Sequence, residues 1–286
     1  PHGTCNPSNQ IKPFTAMNIQ PILDAFPLPA KRGILSDIKK DATENAIYQI
    51  IANPAEAAKA LADKLLDPSD QGNDVQARHA MHATAIRIPV IDQKARKTYA
   101  EALGATLADD RPDRVKGFII RQIQVCGGKE VTPALGKFLT VDGLADDAAQ
   151  ALLAIGDGAV EHFRAALPKA GNNATLRQIN LHGLAQLSDK SSAKIFIKAL
   201  GDKDGECRLL ALWGLAQVGD AKTLDAFLKA EQKEQGYARN KAAHLCLQFA
   251  EKLSKNDAAK IYKHLQATRK APTEKYLQEL AKAALG

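Results

Sequence analysis

Two histidines three residues apart, His79 and His82, are the nearest approach to a metal-binding pair in this 286-residue sequence. Residues three apart on a helix share a face, so two imidazoles at that spacing can hold one cation. Zinc chemistry asks for more than that. No His-Glu-x-x-His pattern follows, and Arg78 beside the pair would repel a metal ion. The acidic doublets Asp109-Asp110 and Asp146-Asp147 are neighbours in sequence, which turns their side chains in different directions; they read as first-turn carboxylates that suit a helix dipole. Cys5, Cys126, Cys207 and Cys246 are scattered and make no Cys-x-x-Cys, so a zinc cluster and covalent haem attachment are unsupported. There is no Gly-x-Ser-x-Gly elbow and no Gly-rich phosphate loop. These observations predict a chain that is not an enzyme, with no catalytic residue, no cofactor and no metal ligand.

The elements that carry these residues are legible from composition and periodicity. The chain is 45% hydrophobic but only 5% aromatic, and its apolar residues are chiefly Ala, Leu and Ile. Such an interior favours close-packed helices, because strands prefer β-branched and aromatic side chains. No stretch approaches the roughly 20 uninterrupted apolar residues that span a bilayer, so no membrane span is expected. Residues 181 to 189 read Leu-His-Gly-Leu-Ala-Gln-Leu-Ser-Asp, and residues 212 to 220 read Leu-Trp-Gly-Leu-Ala-Gln-Val-Gly-Asp, an offset of 31. Arg177 and Arg208 keep that offset upstream, as do Phe196 and Phe227 downstream. Turn positions near 128, 157, 189, 220 and 255 mark steps of about 30 residues, the scale of a two-helix repeat.

Within a unit, Leu209, Leu212, Trp213 and Leu215 recur at helical spacing and place most of their side chains on one face. Gly219-Asp220 then ends one helix and caps the next, since Gly tolerates the left-handed exit and Asp accepts orphan amide hydrogens. Ser188-Asp189 and Gly156-Asp157 are expected to repeat that chemistry. Cys126, Cys207 and Cys246 fall within first helices, where a thiol serves as a small hydrophobe. Residues 74 to 107 read as a further helix pair with a longer second helix, and 41 to 66 as another, broken at Asn53-Pro54. Pro7, Pro13, Pro21, Pro27 and Pro29 forbid one continuous helix over residues 1 to 33, so an extended Pro-rich N-terminal arm is expected there. Residues 34 to 286 are expected to form a single array closed by a last helix near 272 to 285.

Short helices alternating with such turns resemble the HEAT-repeat family, most clearly over residues 112 to 268. The run Val75 to His82 and the Gly127-Gly-Lys-Glu turn are similar to secreted bacterial HEAT-repeat proteins. The resemblance implies an all-α α-solenoid, a right-handed superhelix of helical hairpins whose second helices line a concave face used to bind protein or nucleic acid. Two enzyme classes share that architecture. Deoxyhypusine hydroxylases depend on paired His-Glu dipeptides, of which this sequence has none. Chromophore lyases offer no motif to align.

The net charge of +7 is concentrated at one end. Residues 190 to 286 hold 18 Lys+Arg against 11 Asp+Glu, while the remainder is balanced. Lysines normally coat the solvent faces of Ala-rich helices, but Lys194, Lys198, Lys229, Lys260 and Lys263 could also meet a polyanion. Aligned repeats bring His82, Arg121, His182 and Trp213 to or near one first-helix position. That column is either a recognition stripe or a half-buried position tolerant of any large amphipathic side chain, and Gln150 also falls in it. His82 and His182 therefore join the five lysines as candidate interaction residues. The expected function is a non-catalytic protein-interaction scaffold; the alternative is a nucleic-acid-binding or DNA-repair protein of HEAT-like form that uses a basic C-terminal face. The Pro-rich start without an initiator Met leans towards an exported, periplasmic or extracellular protein.

Overall fold

The computed structural model describes residues 17–28 and 39–286, and the described residues are helix and turn without a strand. Residues 1–16 and 29–33 of the expected arm, Cys5 among them, lie outside the described residues. The chain divides into two compact units, residues 1–106 and 107–286.

In the first unit, α1 (Gln20–Leu23) is a single turn that uses Pro21 in its first positions, where a missing amide hydrogen costs nothing. Its Ile22 and Leu23, with Phe26 beyond, are buried against α2 (Lys40–Ala52) and α4 (Val75–Ile91). Thr43 Oγ1 donates to the Ala25 carbonyl at 3.0 Å and Gln76 Nε2 to that of Phe26 at 2.6 Å. So this part of the Pro-rich segment is a packed turn. Helix α3 (Pro54–Ala62) starts on Pro54, as expected at an Asn-Pro break, and packs on α5 (Gln93–Thr106). Of the pair read over 74 to 107, α4 with 17 residues is the longer and α5 has 14. Pro89 sits inside α4, near its end, and the helix stops three residues later, at Asp92.

The second unit is a stack of hairpins. Its first helices are α6 (Asp113–Cys126), α8 (Ala145–Ile155), α10 (Ala174–Gln186), α12 (Gly205–Val218) and α14 (Gly236–Ala250). Their partners are α7 (Thr132–Gly136), α9 (Val160–Ala166), α11 (Ala193–Ala199), α13 (Leu224–Glu231) and α15 (Lys255–Thr268), and α16 (Lys275–Leu285) packs on α15 at the end. This is an α-solenoid of HEAT-like hairpins. Consecutive first helices pack directly on one another, whereas α11 meets chiefly α12, α13 lies between α12 and α14, and α15 meets α16 and α14.

Two devices fix the step. The first is a ring set into a notch: Phe163 of α9 lies where a Cβ on Gly183 would be, at 2.4 Å, and Phe196 of α11 does the same at Gly214. The recurring glycine is therefore a seat for the preceding hairpin's phenylalanine. The second is a ladder of ion pairs from the fourth residue of α10, α12 and α14. Arg177 chelates Asp202 (2.9 and 3.0 Å), Arg208 chelates Glu234 (2.6 and 3.1 Å) and Arg239 chelates Glu274 (2.7 and 3.1 Å). The acids lie just ahead of α12, α14 and α16 respectively. Arg177 also holds the Gly171 carbonyl and Arg208 those of Asp202 and Lys203, tying each arginine to its own linker.

The turns follow the expected chemistry in part. Gly219 is left-handed (φ 68°, ψ 29°) and Asp220 accepts from the Lys222 amide at 3.0 Å. Ser188 takes a positive φ of 51° in its own turn. Asp189, however, caps no helix; its carboxylate is taken by Arg164, Ser191 and Ser192. Asp157 likewise makes no cap and pairs with Lys129 at 3.5 Å.

Gly183→Ala and Gly214→Ala should each lower unfolding stability by about 1–3 kcal/mol, the range for overpacking a filled site, as read by urea denaturation; Gly201→Ala, whose Cβ would meet only the Lys198 carbonyl at 3.6 Å, lacks that steric term. The ladder also makes a pH prediction. Arg239 hydrogen bonds hold the Glu274 carboxyl down at about 2 against burial, with Arg269 and the Ala271 amide assisting. Because the folded value lies below the ordinary one, the unfolded chain takes up the proton first as pH falls, and this stabilisation drains away between about pH 5 and 2. Glu274→Gln should flatten that part of the acid denaturation curve.

Candidate interaction groove

The ninth residue of three consecutive first helices is aromatic or imidazole: His182 on α10, Trp213 on α12 and His244 on α14, at 31-residue steps. Each of the first two precedes a glycine seat, so the glycine's contact with phenylalanine fixes the rotation of the helix and turns residue nine away from the core. His182 and Trp213 are half-buried with ring centroids 5.3 Å apart, and His244 stacks on Tyr276 of α16 at 6.1 Å, with Tyr276 Oη and His244 Nε2 separated by 3.3 Å. Between them runs a groove of about 340 Å³ whose walls include Leu209, Leu210 and Leu245. Lys241 reaches across to Glu206 at 2.9 Å and lies 6.0 Å from the Tyr237 ring, which is 76% exposed. The surface thus combines flat rings, a paired charge and an exposed amide, Gln248.

Of the expected column, the structure joins His182 to Trp213 and adds His244 and Tyr276. Arg121 lies on α6, exposed, and chelates Asp147 at 2.9 and 3.1 Å, which gives that first-turn carboxylate a partner. Gln150 is exposed on α8. His82 belongs to the other unit, exposed on α4, while His79 turns in against Phe26 with ring centroids 5.2 Å apart. Burial, then the neighbouring His82, holds the His79 imidazole below its ordinary value. Among the described residues no three His, Cys, Asp or Glu side chains gather as a metal set.

The five candidate lysines all lie exposed on second helices: Lys194 and Lys198 on α11, Lys229 on α13, Lys260 and Lys263 on α15. Lys198, Lys229 and Lys260 repeat at 31-residue steps. Lys260 is engaged by Asp257 at 2.8 Å.

A buried ionic cluster had no signal in the sequence. Glu231 and Arg269, both 0% exposed, pair with each other; Glu231 also meets His264 at 2.7 Å and Arg269 meets Glu274 at 3.1 Å. Burial lowers the His264 imidazole from its ordinary value. With each acid neutralised by a base, the cluster clamps α13, α15 and the turn before α16. The buried thiols are poor nucleophiles: burial pushes Cys207 up to about 12 and raises Cys246 further.

Trp213 is the only tryptophan, so the groove carries its own reporter. The His182 ring lies against the indole, so His182→Ala should expose that face of Trp213 to water and move its emission to longer wavelength, as read by fluorescence.

No family model matches the chain, and no curated protein matches it. Among solved structures, the complex of CpcE and CpcF of phycocyanin lyase from Nostoc sp. PCC7120 is similar at 16% identity, over 99% of this chain and 100% of that one, with a TM-score of 0.32. Human deoxyhypusine hydroxylase, solved with glycerol, is similar at 16% identity over 93% and 94%, with a TM-score of 0.34. Both likenesses are distant, and neither protein's chemistry passes to this chain through them.

Proposed function

We propose that this chain is a non-catalytic binding scaffold that takes a protein partner along the first-helix groove of its second unit. The observation that carries the reading is the placement of His182, Trp213 and His244 at one helical position on consecutive helices, with Tyr276 continuing the row. Tyr and Trp supply large contact area with few rotatable bonds, and they dominate the energetics of protein interfaces. A partly sunken Trp and a 47% exposed Tyr beside a paired Glu and Lys match the apolar centre and polar rim of such a surface. Direct packing of first helix on first helix sets their ninth residues side by side.

A second reading has its own observation. Lys198, Lys229 and Lys260 form a repeating basic row on the second helices, the arrangement a nucleic acid or other polyanion would meet. The two readings use opposite sides of the hairpins, so one experiment separates them. Immobilised full chain is exposed to extract from its native source, beside a Trp213→Ala/Tyr276→Ala variant and a Lys198→Glu/Lys229→Glu/Lys260→Glu variant, with folding checked by circular dichroism. Bound protein should fall tenfold or more in the aromatic variant, about 1.4 kcal/mol or more, and hold in the lysine variant. Retention of nucleic acid that weakens steeply with salt and disappears in the lysine variant would replace the first reading by the second.

A further inference from the structure

A cleft of about 520 Å³ lies away from the aromatic groove, between the second helices α9 and α11. Its origin is local. Helix α9 stops at Ala166, and the chain passes through a 3-10 turn, Leu167–Ala170, with Pro168 in its first positions, before Gly171 at φ 52° redirects it into α10. That detour holds the hairpin's end away from α11. In the preceding gap, between α7 and α9, the His162 ring packs onto Gly136 and bonds Thr132 Oγ1 at 3.2 Å, leaving only about 190 Å³. No large side chain plays that part here.

The lining is divided by chemistry. Leu167, Leu181, Ile195 and Ala199 supply apolar walls, and Arg164, Arg177 and Lys198 supply three cations against one acid, Asp202. Asp202 is fully occupied by the chelating Arg177, and Arg164 is bound through Nε and Nη2 to Ser192, Asp189 and Ser191. Lys198 has no acidic partner among the described residues. The cleft therefore offers an unmatched ammonium and an already positioned guanidinium above an apolar floor, at a volume within the range of small-ligand sites.

We infer that this cleft binds a small amphipathic carboxylate, an apolar body carrying one negative group, with the apolar body between α9 and α11 and the carboxylate at Lys198 and Arg164. The site is separate from the groove assigned above and stands or falls independently of it.

Isothermal titration of the full chain with decanoate, and with decylammonium as the same chain length bearing the opposite charge, tests the assignment. Decanoate should bind saturably at one equivalent, and decylammonium at least tenfold more weakly. Lys198→Glu, at an exposed position that the fold does not need, should weaken decanoate tenfold or more, and Ala199→Trp should abolish binding by filling the cleft. If Ala199→Trp fails to fold by circular dichroism, Lys198→Glu decides alone. Absence of saturable decanoate binding, equal affinity for both amphiphiles, or an unchanged affinity in Lys198→Glu would overturn the inference.

Discussion

A hairpin in a repeat array has to be told where its neighbour begins, and in α10, α12 and α14 the instruction is an arginine at the fourth residue of the helix. Arg208 spans from the carbonyls of its own linker to Glu234, the acid ahead of the next first helix, and the Glu234 side chain is only 5% exposed. Arg208 keeps 30% of its side chain exposed, so solvent screens the pair and removing one partner costs less than the roughly 3–5 kcal/mol of a fully buried pair. Most ion pairs on an exposed helix contribute a fraction of that. The ladder thus acts less as added stability than as a ruler. It ties each linker to the next, and the contacts of Phe163 and Phe196 with their glycines set the rotation of the helices between.

How far this could be read from the sequence depended on whether the signal was local. The hairpins and their turns were legible because apolar spacing and Gly-Asp punctuation are properties of a few adjacent residues. The rotation of each helix was partly legible: the shared string around His182 and Trp213 marks the groove position, but at His244 the following glycine is replaced by Leu245 and the string is lost, although the 31-residue count still lands there. Arg239 is hidden for the same reason. The cluster of Glu231, His264 and Arg269 could not be seen at all, since its members sit 5 to 38 residues apart with no common spacing and come together only when α13 and α15 pack. Asp189 shows the converse. Its sequence context is that of a cap, and Arg164 from the preceding hairpin took it instead.

The two faces of the second unit have different physical characters for a reason that lies in the same ruler. Tight spacing of first helices brings residue nine of one helix within ring-stacking distance of its counterpart, so aromatic side chains there support one another. Second helices, spaced more widely, leave gaps, which are filled by a ring in one instance and open in another. Lysines suit that side, since long solvated chains cover apolar stems without needing a neighbour.

The seat-and-ring contact carries a consequence for the ancestry of the chain. Residues 174 to 204 hold a seat at Gly183 for the hairpin before, a ring at Phe196 for the hairpin after, and both halves of one ladder pair, Arg177 and Asp202. A tandem copy of that segment would find every contact already provided. The next hairpin is equipped in the same way, with a seat at Gly214, the ring of Phe227 and both members of the pair Arg208 and Glu234, whereas Phe163 belongs to a hairpin without a seat of its own. Either of these two consecutive hairpins could be copied in tandem with its seat, ring and ion pair intact.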